Sequence, residues 1–186
     1  MTSKHIFFFI SGAAALFLAL QCIKLSSITV RLPKDNSEII HLSPVDTGDR
    51  FSLTYHHSVE KTLVKGIFEV SQVPSILAVE TRMTSVGTGL PNTFSKRTSR
   101  DGKWIVVDEE KKEIDNFRFF ISRVNNTYLT IPSGIIDLMT LPSGTVIVLG
   151  VEKISLIRYL FYKYKKFLTV QLRLQIVSEI SEVRFE

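Results

Sequence analysis

Cysteine is almost absent from this chain, which has 186 residues and one cysteine, Cys22. No disulfide can therefore form within the chain, and no zinc site can be built from cysteines. The hydrophobic fraction of 45% and the charged fraction of 22% are those of an ordinary globular protein. Collagen-like, low-complexity and wholly disordered chains are excluded on that composition. The length fits one domain with an appendage, and we expect neither a cofactor nor a metal.

The middle of the chain carries almost no net charge. Residues 24–150 hold 15 basic and 14 acidic side chains, whereas residues 151–186 hold 7 basic and 4 acidic ones. The net charge of +5 is therefore concentrated in the tail. Because a nucleic-acid-binding protein usually spreads cationic side chains over its main face, we expect no nucleic-acid partner.

The N-terminal segment predicts a contact with a membrane. Residues 6–23 contain no charged side chain, and as a helix they would span roughly 27 Å, which just suffices for a hydrocarbon core. We interpret residues 1–26 as an uncleaved anchor. A cleaved signal, a lipoprotein acylated at Cys22 and a buried core helix stay open as alternatives. The expected location is the cytoplasmic membrane, with the body on the periplasmic or extracytoplasmic side.

The body, residues 27–151, reads as an all-β domain. Short β-branched and aromatic runs are separated by turn residues every 8–12 positions, which is typical of an antiparallel β-sandwich or a barrel-like domain. The charged run at 108–113 is interpreted as a solvated run that follows a short strand ending at residue 107. The predicted strands are 27–32, 38–42, 50–57, 63–70, 76–84, 104–107, 117–122, 127–131, 135–141 and 145–151.

The C-terminal extension, residues 152–186, has a different pattern. Apolar residues recur at helical spacing up to about residue 166, and residues 168–176 alternate as in a strand. We predict an amphipathic helix at 152–166 followed by a strand at 168–177. Aromatic and cationic side chains of this helix suit a membrane surface, and a surface helix that packs on the β body is the alternative. The predicted membrane-contacting residues are Phe161, Lys163, Tyr164, Lys165 and Lys166.

Two histidines and a serine crowd the end of the predicted strand 50–57. His57 and Ser58 are neighbours on a strand, so their side chains point to opposite faces and cannot form a nucleophile–base pair. His56 and His57 fail the same test as a pair of metal ligands. We therefore predict no catalytic residue here, and the competing interpretation is a histidine that closes the strand and bonds to loop backbone.

A glycine-rich loop follows about thirty residues later, at Gly87-Thr88-Gly89-Leu90-Pro91. It is not a dinucleotide-binding loop, because no third glycine fits the spacing and no helical pattern follows. A simple turn and an anion- or ligand-binding loop both remain open. Since neighbouring strands in an antiparallel fold tend to pair, we expect this loop to lie close to His57, Ser58 and Glu60.

These motifs together resemble a bacterial family. Residues 55–62 (Tyr-His-His-Ser-Val-Glu-Lys-Thr), the Gly87–Pro91 loop and residues 101–104 are similar, in this order, to the motifs of the family called domain of unknown function 1850. The similarity covers roughly residues 28–150. Two positions depart from the family pattern: Leu63 stands where the family has proline, and Gly66 stands where it has glutamate.

The resemblance implies an exported, membrane-linked β protein that accompanies tripartite solute transporters of the TRAP type. We therefore expect an accessory protein of such a transporter with an interaction or scaffold role. The expected partners are the membrane and, within the transporter, its membrane subunits or its substrate-binding protein. The alternatives are a small-ligand-binding module and a hydrolase that uses this region, and we favour a non-enzymatic role. The candidate ligand or interaction residues are Tyr55, His57, Ser58, Glu60, Thr62, Gly87, Gly89, Leu90 and Pro91.

Overall fold

A computed structural model describes residues 3–33, 38–72, 75–87 and 97–183, and side chains for residues 8–172 within those ranges. Helix α1 spans Ser3–Cys22 and helix α2 spans Leu156–Val183; a short 3-10 helix covers Leu138–Thr140. Between α1 and α2 the described chain is built from strands. They are β1 Lys24–Leu32, β2 Glu38–Pro44, β3 Arg50–His56, β4 Leu63–Val70, β5 Ile76–Met83, β6 Thr98–Asp101, β7 Trp104–Ile114, β8 Phe117–Phe120, β9 Tyr128–Ile131, β10 Gly134–Asp137 and β11 Val146–Ser155.

The strands form two sheets. One has the order β2-β1-β11-β8, and the other has the order β10-β9-β3-β4-β5-β7-β6. The pairs β1–β2, β11–β8, β3–β4, β3–β9, β4–β5, β5–β7, β6–β7 and β9–β10 are antiparallel. The prediction of a β-rich antiparallel fold is therefore confirmed.

A single large apolar core is shared by the two sheets. Ile28 of the smaller sheet and Leu53 of the larger one are both buried, and they belong to one contiguous cluster. Alternating side chains of both sheets reach this cluster, as expected for strands that bury one face. The ring centroids of Phe51 and Phe68 lie 5.3 Å apart within it. This core fixes the positions of strands β3, β4, β5 and β7, which carry the candidate site.

Strand β7 is longer than the sequence suggested. The strand was predicted to end at Val107, before the charged run 108–113, and that bound is wrong because β7 continues through the run to Ile114. Lys112 and Glu113 pair with β5, and the register shifts beside a bulge in which Glu110 and Lys111 have positive φ angles of 55° and 51°. Pairing with β5 satisfies backbone groups of Lys112 and Glu113, whereas inside the bulge the Glu110 N–H donates to Asp108 Oδ1 at 2.9 Å.

The C-terminal extension is helical where a strand was predicted. Strand β11 continues to Ser155, so the helix begins at Leu156 rather than at 152, and α2 runs through the predicted strand 168–177. Leu, Gln and Arg dominate residues 171–175, and these side chains favour a helix because none of them is branched at Cβ. A helix also satisfies its own backbone groups without a neighbouring strand. At its start, the Leu156 N–H donates to the Ile23 carbonyl oxygen at 2.9 Å.

Backbone contacts divide the chain into two compact units. One unit comprises Ser26–Glu152, and the other joins Met1–Leu25 with Lys153–Glu186. Within the part of the chain whose side chains are described, neither helix combines the length and the apolar composition that crossing a membrane requires.

Candidate functional site

The connection between β3 and β4 is a tight loop built around His57. The His57 N–H donates to the Thr62 carbonyl oxygen at 2.8 Å, and the Lys61 N–H donates to the His57 carbonyl oxygen at 2.9 Å. The Glu60 N–H donates to His57 Nδ1 at 3.3 Å. Lys61 has a φ of 53°, which lets the chain reverse direction within this loop. His57 therefore holds loop backbone with its side chain, and Ser58 lies exposed at the loop surface.

Two threonines join this loop to the end of β5. The hydroxyl groups of Thr62 and Thr84 share a hydrogen bond of 2.6 Å, and Thr62 is only 5% exposed. The Leu63 N–H donates to Thr84 Oγ1 at 3.2 Å, and the Thr84 N–H donates to the Leu63 carbonyl oxygen at 3.1 Å. These three bonds hold the chain that leads into the glycine loop against the β3–β4 connection.

Glu60 lies directly against Gly87. A methyl group placed at Gly87 would come within 2.6 and 2.7 Å of the two Glu60 carboxylate oxygens, so only glycine leaves this space open. Glu60 and Gly87 are thus brought together, although they lie 27 positions apart in the sequence. Three further candidate residues, Gly89, Leu90 and Pro91, lie outside the described residues.

A pocket of about 520 Å³ lies on the inner face of the larger sheet. One predicted site residue, Tyr55, lines it. Sequence reasoning missed the other lining residues, because each belongs to an ordinary strand pattern and they converge only when β3, β4, β5 and β7 pair. The lining residues are Leu53, Tyr55, Val64, Gly66, Phe68, Ala78, Glu80, Thr81, Glu109, Lys112, Glu113, Ile114 and Phe117.

Tyr55 gives the pocket an aromatic wall with one polar atom. Its ring packs at 56° against Phe119, with the ring centroids 5.2 Å apart. Burial raises the pKa of the Tyr55 hydroxyl above its ordinary value of 10.0, because the charged phenolate is disfavoured in an apolar environment. The hydroxyl therefore stays protonated at neutral pH and can donate a hydrogen bond.

The absence of a side chain at Gly66 makes room for the Phe68 ring. A methyl group at this position would lie 3.0 Å from Phe68 Cζ and 3.1 Å from Cε2, so any larger residue would push the ring away. Gly66 pairs with Leu53 on one side and with Thr81 on the other. The position at which the chain departs from the family glutamate is thus part of the pocket wall.

The polar rim of the pocket is held by hydrogen bonds. Thr81 Oγ1 donates to Glu109 Oε1 at 2.9 Å. Glu80 accepts from Arg82 Nε at 2.7 Å, and Arg82 Nη1 lies 3.1 Å from Asp101 Oδ2. The hydrogen bond with Glu80 is the largest cause that raises the pKa of the Arg82 guanidinium. Arg82, which is outside the pocket lining, thereby fixes the position of one rim carboxylate.

Among the described residues, no cluster of three or more histidine, cysteine or acidic side chains is placed to hold a metal ion.

Helix α2 exposes large apolar side chains. Phe161 is 68% exposed and Tyr164 is 59% exposed. The Lys163 ammonium lies 6.0 Å from the centroid of the Tyr159 ring. Lys165 and Lys166 are also exposed.

The geometry defines a β-rich domain with an apolar pocket and a hydrogen-bonded corner at the end of β3. Residues 51–138 match the family model described as Domain of unknown function (DUF1850). The match supports the family resemblance and contains both the pocket lining and the corner. No curated protein and no solved structure matches the chain.

Proposed function

We propose that the β domain is a binding module for a small, mainly apolar ligand. The observation that carries this proposal is the pocket of about 520 Å³ lined by Leu53, Val64, Phe68, Ala78 and other apolar side chains. Ligand sites typically measure roughly 300–1,000 Å³ and combine apolar walls with a few placed polar groups. The Tyr55 hydroxyl and the charged rim supply such polar groups here.

The energetics of such a pocket are sufficient for binding. Burial of apolar surface contributes roughly 25 cal/mol per Å², so a ligand that buries about 200 Å² gains on the order of 5 kcal/mol before the cost of association. Walls built from paired strands need little reorganisation, which reduces that cost. A ligand with a chain of about ten carbons is therefore a reasonable probe.

We place this binding activity in an accessory protein of a tripartite solute transporter. The family resemblance supports that setting, because proteins of this type accompany TRAP-type transporters. The apolar run 6–23 supports attachment to the cytoplasmic membrane, and the family resemblance implies that the β domain lies on its outer side. In this role the domain would bind a small molecule close to the membrane subunits or the substrate-binding protein.

The exposed side chains of α2 suit a second contact with the membrane. Tyr164 follows Leu160 by four positions and Phe161 by three, so it shares a helix face with each of these exposed side chains. Lys163, Lys165 and Lys166 add positive charge, and each cation close to an anionic bilayer contributes about 1 kcal/mol. Because α1 would already hold the chain at the bilayer, this contact is effectively intramolecular and need not be strong.

The experiment for ligand binding uses the scarcity of cysteine. In the full chain carrying Cys22→Ser, a cysteine is introduced at Ala78, in the pocket, or at the exposed position Thr98 as a control. Both variants, held in zwitterionic lipid, are labelled with neutral methyl methanethiosulfonate in the presence of increasing decanol. Decanol is expected to slow labelling of Ala78→Cys in a saturable manner and to leave Thr98→Cys unchanged.

Two results would overturn the proposal. Labelling of Ala78→Cys that is indifferent to decanol would show that the pocket does not hold an apolar chain. Equal slowing at Ala78→Cys and Thr98→Cys would show that decanol acts on the reagent or the lipid and not on the pocket.

A further inference from the structure

The rim of the pocket carries an excess of negative charge. Among the lining residues, Glu80, Glu109 and Glu113 supply three carboxylates and Lys112 supplies one ammonium. The remaining lining residues are uncharged, so the lining has a net formal charge of −2. This charge lies beside apolar walls, where electrostatic interactions are stronger than in bulk water.

We propose that the ligand of this pocket is an apolar molecule with a cationic head, such as a protonated alkyl amine, and that the head lies at the acidic rim. The inference rests on the proposed ligand-binding function. It adds a chemical class, since the apolar walls alone would accept an alcohol, an amine or a fatty acid of the same length.

The rim of the pocket contains a carboxylate that a hydrogen bond already orients. The Thr81 hydroxyl donates to Glu109 Oε1 at 2.9 Å, which orients this carboxylate at the edge of the pocket. Thr81 also pairs across the sheet with Gly66, another residue of the pocket lining. A positioned carboxylate accepts strong, charge-assisted hydrogen bonds from an ammonium group.

Neighbouring cations do not remove this preference. Arg82 is bonded to Glu80 and approaches Asp101, so its charge is shared between two carboxylates. Lys112 contributes one positive charge to the lining, against the three carboxylates. A carboxylate head would therefore meet net repulsion at the rim, whereas an ammonium head would meet net attraction.

Decylamine, decanol and decanoate separate these possibilities because they share one chain and differ in head charge at pH 7. Each is titrated against labelling of Ala78→Cys in the full chain carrying Cys22→Ser, in zwitterionic lipid and at low salt. We expect half-protection at about tenfold lower concentration for decylamine than for decanol, a factor that corresponds to about 1.4 kcal/mol. Decanoate is expected to protect least.

Charge-removing variants test whether the rim causes this order. Glu109→Gln and Glu113→Gln, each added to Ala78→Cys, keep the size of the side chain and remove one carboxylate. Glu110→Gln is the matched control, because Glu110 is exposed on the same strand and does not line the pocket. The ratio between decylamine and decanol should fall several-fold in the first two variants and stay unchanged in the control. Since all ratios are taken in the same lipid, partition into the bilayer cancels.

The outcomes are separable. Protection by decanol without a preference for decylamine, or with a preference for decanoate, would overturn the cationic head and leave the binding function standing. An equal change of the ratio in Glu110→Gln would also overturn it, because the preference would then come from overall charge. Protection by none of the three molecules would instead contradict the proposed binding function itself.

Discussion

The hydrogen bond between Thr62 and Thr84 permits a quantitative test of the corner at the end of β3. The two hydroxyl oxygens lie 2.6 Å apart, and Thr84 Oγ1 also accepts from the Leu63 N–H at 3.2 Å. Removing one partner of a buried hydrogen bond costs about 1–3 kcal/mol. Thr62→Val removes one bond, whereas Thr84→Val removes two, so Thr84→Val should destabilise the protein more.

The double variant supplies the decisive number. Once one hydroxyl has been removed, loss of the other costs less, because the hydrogen bond between the two hydroxyl groups is already absent. Thr62→Val and Thr84→Val together should therefore cost about 1 kcal/mol less than the sum of the single variants. Thr98→Val, at an exposed position, is the control and should stay within about 0.5 kcal/mol of the parent chain.

Urea unfolding of the full chain measures these free energies. The single tryptophan, Trp104, lies at the start of β7 and reports unfolding of the larger sheet by its fluorescence. Strictly additive costs for the two threonine variants, or a cost for Thr62→Val as small as that of Thr98→Val, would refute the argument that this bond joins the β3–β4 loop to the end of β5.

Two further predictions concern acid stability and helix α2. A hydrogen bond from Lys111 is the largest cause that lowers the pKa of the Glu69 carboxyl below its ordinary 4.5. The stabilisation that the ionised Glu69 carboxyl contributes is therefore present above pH 4.5 and is lost as the pH falls through the lowered pKa of the folded state. Glu69→Gln should accordingly make the urea midpoint fall less steeply as the pH decreases through this range. A urea midpoint that falls as steeply in Glu69→Gln as in the parent chain would contradict this. A fluorophore on Phe161→Cys in anionic vesicles should be quenched by brominated lipid more than one on Thr98→Cys, at an exposed position of β6, each in the full chain carrying Cys22→Ser, and equal quenching would contradict the membrane contact of α2.

Local sequence patterns were sufficient for most of the strands. The run Leu63–Val70 was predicted with the bounds that β4 has, because apolar alternation and flanking turn residues mark both ends. The charged run 108–113 misled the prediction, since its partner strand β5 is what keeps it extended. Residues 168–177 were predicted as a strand but are helical, because alternation over nine residues also occurs in helix-forming sequences that lack a partner strand.

The sequence predicted one part of the candidate site and missed another. Motif order suggested that the β3–β4 connection and the glycine loop meet, and the contact between Glu60 and Gly87 shows how close they come within the described residues. The pocket was not foreseen. Its walls come from residues such as Ala78 and Ile114, whose types are ordinary for a core, and only the pairing of distant strands creates the space between them. Tyr55 was singled out as part of a motif, and its place in the pocket wall follows from the pairing of β3 with β4, in which it lies across from Val64.

Calorimetry of decanol binding tests the central claim, that the pocket is a ligand site, most directly. The full chain in phosphatidylcholine nanodiscs is titrated with decanol, and the heat of empty nanodiscs is subtracted. The account predicts one saturable site with a negative heat-capacity change, as apolar burial requires. It also predicts loss of that site in Ala78→Leu, which fills the pocket, and its retention in Thr98→Leu, with both variants keeping the urea midpoint needed to show a folded domain. Saturable binding that is the same in folded Ala78→Leu as in the parent chain, or no saturable binding to the parent chain, would contradict it.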